Sequence, residues 1–351
     1  QIAHAITADV YWGYYQANQW EVGQRTFSDE IVKSDIRTWD LRTLAHRIVY
    51  HRIQSTTEAT KLQALPLSAY KDILRYEGYA LDHQKREDFD KFTPTLYDFL
   101  AFEAIKFFQT ASYNVSQNED KYVLDNPDIL GNNASFIAMQ HQSKDSLSNH
   151  YYAVELFKTL TLFHIKDADP SVLVDITIKR IEFAKNYAVL ENKEELYVSL
   201  INEMEKLYAS HESSTQFSYL KAQNLHSKNN PLNKDNPEIQ KGNKLAYEIC
   251  ANAQKLYPNS YGAKQCKSLM NKLEAKSMDV TLDKYLVPAT TQKIKLSYAN
   301  IDKVYFTLLL VPKDYKNPEY EHQPKVDHFF KNGKKIKSNK EIFQMRSWIH
   351  Y

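Results

Sequence analysis

A change of hydrophobic period near Lys276 constrains this chain more than any other feature. Ahead of it, apolar residues recur at helical spacing. Beyond it come three runs rich in β-branched and aromatic residues, Asp279 to Val287, Ile294 to Tyr298 and Val304 to Val311. They are punctuated by Pro288, Ala299-Asn300 and Pro312, as strands are. The pattern predicts a long helical array followed by a strand-rich module that stops unfinished at Tyr351. The chain therefore reads as the opening segment of something larger.

Only 7 glycines and 11 prolines occur in 351 residues, too few for the turns of a mostly β or dinucleotide-binding fold. The balance of 45 Lys+Arg against 43 Asp+Glu leaves no basic field, which argues against nucleic acid as the main partner. Aromatics make up 13% of the chain, with 25 tyrosines, residues suited to helix seams where one end of the ring stays wet. No apolar run approaches the roughly 18 residues of a membrane span. The opening Gln1-Ile2-Ala3-His4 has neither a charged n-region nor an apolar h-region, so a signal or lipid-anchor segment is expected ahead of it or not at all.

Along the chain, Ala3 to Trp20 predicts a helix with Ile6, Val10, Tyr14 and Ala17 on its inner face and Tyr11, Trp12, Tyr15 and Trp20 beside it. Thr38 is placed to cap a helix running through Leu41, Leu44, Ile48 and Val49. Asp35, Arg37, Asp40 and Arg42 read as structural ion pairs. Pro66 opens a short helix to Leu74, and Arg75 to Lys91 reads as a polar loop. Thr93-Pro94-Thr95 starts a helix, Leu96 to Phe108, apolar on nearly every face and so central to the N-terminal half. Ser112 to Asn133 reads as loop, and its sequons at Asn114 and Asn133 read as chance matches.

Further helices are expected over Tyr151–Ile165, from Asp169-Pro170 to Ala184, over Glu194–Tyr208, Thr215–Leu225, Leu245–Tyr257 and Tyr261–Leu273. Ser227 to Gly242 reads as a polar linker. Lys206-Leu207-Tyr208 and Lys255-Leu256-Tyr257 end equivalent helices, an internal echo. Ala246, Cys250, Ala253 and Pro258 follow the small-large-small-proline spacing of a second tetratricopeptide helix, and Ala153, Phe157 and Leu160 repeat it without the proline. The expected fold is mainly α: an array of helical hairpins, loosely tetratricopeptide-like, followed by a partial antiparallel β module. The regions are residues 1–145, an N-terminal helical part, 146–276, the hairpin repeats, and 277–351, the β module. Within the last, Lys331 to Lys337 reads as a solvated hairpin tip, and Val304–Val311 is left either as an open edge or paired with Glu341–Tyr351.

Cys250 and Cys266 flank the turn Tyr257-Pro258-Asn259-Ser260. With antiparallel helices on either side, their side chains sit at similar heights. A disulfide there closes a loop of about 15 residues, worth roughly 3 kcal/mol in the chain-entropy model. Two buried free thiols fit the same residues.

Catalytic patterns are missing from the one-dimensional text. It holds no G-x-S-x-G, Walker A, G-x-G-x-x-G, H-E-x-x-H or C-x-x-C. His46 and His51 miss the four-residue spacing of a helical metal pair, and His83, His141, His150 and His164 read as isolated surface or core histidines. No catalytic, cofactor-binding or metal-ligating residue and no cofactor is expected.

Trp39-Asp40-Leu41-Arg42-Thr43, Thr95-Leu96-Tyr97-Asp98-Phe99-Leu100, Lys179-Arg180-Ile181-Glu182-Phe183 and Tyr257-Pro258-Asn259-Ser260-Tyr261-Gly262-Ala263-Lys264-Gln265-Cys266 resemble the N-terminal region of large alpha-2-macroglobulin-like proteins of Bacteroides-type bacteria. In that family a helical region precedes a string of macroglobulin β-sandwich domains, and Val280 to Val311 resembles the first strands of the first of these, cut short. The resemblance implies a non-catalytic scaffold or recognition segment of a protease-trapping, cell-envelope defence protein. Its partners would be proteins, namely proteases and other envelope proteins, and its setting exported, in the periplasm or at the cell surface, with a lipid as the membrane anchor. The family's Cys-x-Glu-Gln thioester has no counterpart here, since Cys250 precedes Ala-Asn-Ala and Cys266 precedes Lys-Ser-Leu. An exported setting favours a Cys250–Cys266 bridge. The alternative is a free-standing tetratricopeptide-like adaptor for peptides or glycans, with Tyr197, Gln216 and Asn224 lining an open groove.

Overall fold

The computed structural model describes residues 1–25, 35–70, 90–111, 122–227, 237–281, 295–301, 303–310 and 334–339. The chain is mainly helical with small antiparallel two-stranded sheets. It forms two compact units, one of Gln1–Asn224 with Ile249–Cys266 and one of Leu225–Glu248 with Lys267–Tyr351.

The first unit opens with α1 (Ile2–Ala17), which stops at Asn18 and is followed by α2 (Gln19–Gln24), where the sequence predicts one helix. The Asn18 side chain donates to the Tyr14 carbonyl at 2.8 Å, competing with helix continuation. The buried face of α1 is also different from the expected one. Ala8 and Tyr15 are buried, with Tyr11 and Trp12 packed beside them, while Ile6, Val10 and Trp20, expected in the seam, are exposed. The ring-bearing side offers more area to α3 (Leu41–Thr56), and the Asp9–Arg52 ion pair fixes its edge.

Asp40, not Thr38, caps α3. Its Oδ1 accepts from the Thr43 N–H at 2.7 Å, whereas Thr38 sits in a 3-10 turn and its hydroxyl donates to the Asp35 carbonyl at 2.7 Å. Asp40 directly precedes Leu41, so only its side chain reaches the free N–H groups of the first turn. Asp35 and Arg37 do pair, at 2.9 Å on the surface.

After α4 (Ala59–Gln63), a 3-10 turn at Leu67–Tyr70 takes the place of the start of the helix expected to Leu74; Leu74 itself and Arg75 to Phe89 lie outside the described residues, and Asp90 and Lys91, the end of the expected loop, are helical. Then comes α5 (Leu96–Thr110), the helix expected to be central. A capping box starts it, with Thr95 Oγ1 accepting from the Asp98 N–H and Asp98 Oδ2 accepting from the Thr95 N–H. Leu100, Ala101, Ala104, Ile105, Phe107 and Phe108 are all buried. Each large side chain among them contributes about 1.5–3 kcal/mol through burial.

The stretch read as loop before Asn133 leads into α6 (Asn133–Ala138), a short helix capped by Asn132. Helices α7 (Asn149–His164), α8 (Ser171–Tyr187), α9 (Lys193–Leu207) and α10 (Ser214–Ser227) follow close to their expected bounds. Helix α11 (Pro237–Leu256) starts earlier than expected and takes in the end of the predicted linker, and α12 (Tyr261–Glu274) follows. Gly262 at the start of α12 is required by packing. A Cβ there would overlap the Thr215 and Gln216 backbone.

In the second unit, β1 (Ser277–Thr281) pairs antiparallel with β2 (Lys295–Ala299), Ser277 opposite Ala299. Asn300 follows with φ 54°, and its side chain donates to the carbonyls of Leu273 at 2.7 Å and Ala275 at 3.0 Å. Strand β3 (Phe306–Leu310) pairs antiparallel with β4 (Lys334–Asn339), with an irregularity at Leu308/Leu309. The lysine-rich segment read as a hairpin tip is thus the partner of β3. Lys335-Ile336-Lys337 alternates with period 2, and lysines suit a strand at an edge. Glu341 to Tyr351 lies outside the described residues.

Candidate functional site

The α3–α4 turn, α5 and α7 line a half-open cavity of about 290 Å³ in the first unit. Its floor is Ile53, Phe108 and Leu156, with Tyr97 and Tyr152 on its walls. Helix α7 supplies Tyr152, Glu155, Leu156 and Thr159, an i, i+3, i+4, i+7 face. At the rim stand Glu58 and Glu155, both about half exposed. Glu58 has a left-handed backbone, φ 59° and ψ 38°, a conformation that a non-glycine residue adopts only when its surroundings hold it there. Burial pushes the Tyr97 phenol up to about 12, against the hydrogen bond it shares with Thr159, so it stays neutral and serves as a hydrogen-bonding group. A cavity of this size and lining admits one small apolar or aromatic group with carboxylates at its mouth.

Two histidines flank this region, and neither is isolated. His141 Nε2 lies 2.6 Å from Glu155 Oε1, close enough for an ion pair but poorly aligned as a hydrogen bond, and its Nδ1 is 3.2 Å from the Tyr122 hydroxyl. The contact with His141 holds the Glu155 carboxyl below its ordinary range, against the effect of burial. His164 is buried between two carboxylates, Nε2 at 2.8 Å from Asp98 and Nδ1 at 2.6 Å from Asp167. Carboxylates only accept, so both bonds together require the imidazolium. Burial opposes that charge, but the bonds to Asp98 and then Asp167 outweigh it and raise the His164 pKa above the usual value. Asp98 thereby serves both the α5 capping box and the α7 C-terminus.

Arg180 is a third buried group, fully enclosed on α8. It donates to the Ile129 carbonyl, to the Gly131 carbonyl at 2.9 Å and to Asn133 Oδ1 at 3.4 Å, and it stacks 4.3 Å over the Phe136 ring. No carboxylate pairs with it among the described residues, and burial lowers its pKa to about 9. Asn133 also accepts from the Thr177 hydroxyl at 3.0 Å, so in the folded chain this sequon asparagine is a core ligand of Arg180. Asn114 lies outside the described residues.

Cys250 and Cys266 are both buried free thiols in hydrogen-bond contact with each other. That bond, then burial, pushes the Cys266 thiol well above its ordinary value. The groove expected of an adaptor is not formed by its named residues. Tyr197, Gln216 and Asn224 are all buried, Tyr197 beneath Lys185 at 4.3 Å and Asn224 bonded to Lys185 at 2.8 Å and Glu194 at 2.9 Å.

Of the residues singled out in sequence, the structure brings Cys250 to Cys266 and Tyr97 to the cavity. The cavity's two carboxylates, Glu58 and Glu155, carried no local motif, and their meeting depends on segments almost a hundred residues apart. The α7 face at helical spacing was the one available signal. Among the described residues no group of three or more His, Cys, Asp or Glu side chains is arranged to hold a metal ion, and no helix is long and apolar enough to cross a membrane. Comparison of the chain with family models, curated proteins and solved structures finds no match.

Proposed function

We propose that this chain is a non-catalytic scaffold and recognition segment of a large alpha-2-macroglobulin-like protein that traps proteases in the cell envelope. One observation carries the reading: the residues that resemble the family sit in packing and capping positions. Trp39, Tyr97, Asp98, Arg180, Ile181, Phe183 and Cys266 are buried, and Gly262 meets backbone with no room for a side chain. Such residues specify a mount, and the two antiparallel strand pairs after α12 fit the opening of a β-domain carried on it. The cavity between α3, α5 and α7 supports the recognition half of the reading, as a seat for one side chain of a partner protein.

The helices from Asn149 to Glu274 are, on this reading, loosely tetratricopeptide-like hairpins. Ala153, Phe157 and Leu160 are buried at the same spacing as Ala246, Cys250 and Ala253, and Leu207 and Leu256 protrude at matching helix ends, 62% and 61% exposed. The setting that goes with the reading is export to the periplasm or cell surface.

Reading the gene past the codon for Tyr351 is the first test, and a run of further β-sandwich domains is expected. An early stop would remove the macroglobulin assignment. For the intact protein, incubation with a panel of endopeptidases is expected to protect large substrates and spare small ones, with a band shift on gels. Unchanged cleavage of large substrates and no band shift would reject trapping.

A further inference from the structure

We propose that Cys250 and Cys266 form a cross-linking site: oxidation joins their sulfurs into an intrachain disulfide that staples α11 to α12. Cys250 lies six residues before the end of α11 at Leu256, and Cys266 five residues after the start of α12 at Tyr261. At about 1.5 Å per residue both stand roughly 8–9 Å from the turn. Their thiols are buried and in hydrogen-bond contact. One helical turn nearer the loop, Ala253 and Ala263 are also buried, so small side chains let the two backbones approach at this level. The turn itself is fixed. Ser260 Oγ accepts from the Ala263 N–H at 3.2 Å, donates to the Tyr257 carbonyl at 2.8 Å and meets Thr215 Oγ1 at 2.8 Å. Gln254 Nε2 adds a cross-link to the Ala263 carbonyl at 3.4 Å. The two sulfurs are therefore held as neighbours by the hairpin before any bond forms between them.

The oxidant is a disulfide such as oxidised glutathione. One cysteine thiolate attacks an oxidant sulfur and expels one glutathione thiolate, leaving a mixed disulfide. The second cysteine thiolate then attacks the protein-bound sulfur and expels the other glutathione. Two cysteine thiols lose two protons and two electrons, and the oxidant is reduced to two thiols. Either thiol can make the first attack, since the two sulfurs share one contact. Because both are enclosed, attack waits on local opening of the hairpin. The proposal rests on this geometry and is independent of the macroglobulin reading.

The test treats the reduced chain with oxidised glutathione, then alkylates it in denaturant and weighs it. The expected product is a monomer that has lost two hydrogens, takes up no alkylating agent and melts about 5–10 °C higher, a gain that reductant reverses. Two alkylatable thiols at equilibrium, two stable glutathione adducts per chain or a cross-linked dimer would each overturn it. Cys250→Ser and Cys266→Ser are each expected to take up one glutathione and to show no such rise. A rise of the same size in either variant would also overturn it, and if a variant fails to fold, the mass and melting shift of the unmutated chain decide.

Discussion

Arg180 and His164 are both cationic groups in the interior of the first unit, held by opposite means. Arg180 is surrounded by carbonyl oxygens and a phenyl ring, and its charge is spread over a planar fork that several neutral acceptors can share. His164 is gripped by two carboxylates, one of them the cap of another helix. The first arrangement fixes backbone, because it is the Ile129 and Gly131 carbonyls that the guanidinium holds. The second fixes a protonation state and makes the junction of α5 and α7 sensitive to pH. Burying charge without a counter-charge works where the backbone turns toward it; pairing works where two helix ends meet.

Removing the Arg180 fork gives the largest expected effect. Arg180→Ala should lose about 3–5 kcal/mol in chemical denaturation, since it leaves two buried carbonyls unpaired and a void beside Phe136. Arg180→Met keeps most of the volume, and stability equal to the unmutated chain would show that the carbonyl clamp contributes nothing. Next comes Asp98→Asn, which keeps the shape but removes the charge facing His164, with an expected loss of about 2–3 kcal/mol.

The pH dependence separates the two centres. The folded pKa of His164 is raised, so its contribution is complete below its unfolded value of about 6.5 and is lost as pH rises through the folded value. Melting temperature should fall across that window, and the fall should vanish in His164→Gln. Arg180, with its folded pKa lowered to about 9, adds no slope there. The smallest expected effect lies outside both centres. Asp40→Ala should cost about 1 kcal/mol as a lost cap, and Thr38→Ala no more than about 0.5 kcal/mol.

The positions of α5 and of α7 to α12 were legible because their apolar spacing is strong, and the start of α5 also carries its Thr95 cap; the short α6 was not. The inner face of α1 was not, because Ile6 and Val10 are as periodic as Ala8 and Tyr15, and only the partner helix decides between them. The pairing of β3 with Lys334–Asn339 was hidden by charge, which marks a solvated turn and a strand edge alike. The proximity of Cys250 and Cys266 could be read from helix rise and one turn. The Arg180 and His164 centres could not, since their ligands come from segments about 50 and 66 residues away.

Gly262 carries a consequence for how this chain can vary. Every residue other than glycine has the same Cβ, and that atom already meets the Thr215–Gln216 backbone. Saturation of the codon should therefore give a flat profile, with alanine nearly as poorly tolerated as tryptophan. A core position such as Leu100 should instead show a graded profile, sloping with side-chain volume. The start of α12 is a place where sequence drift has no small step to take.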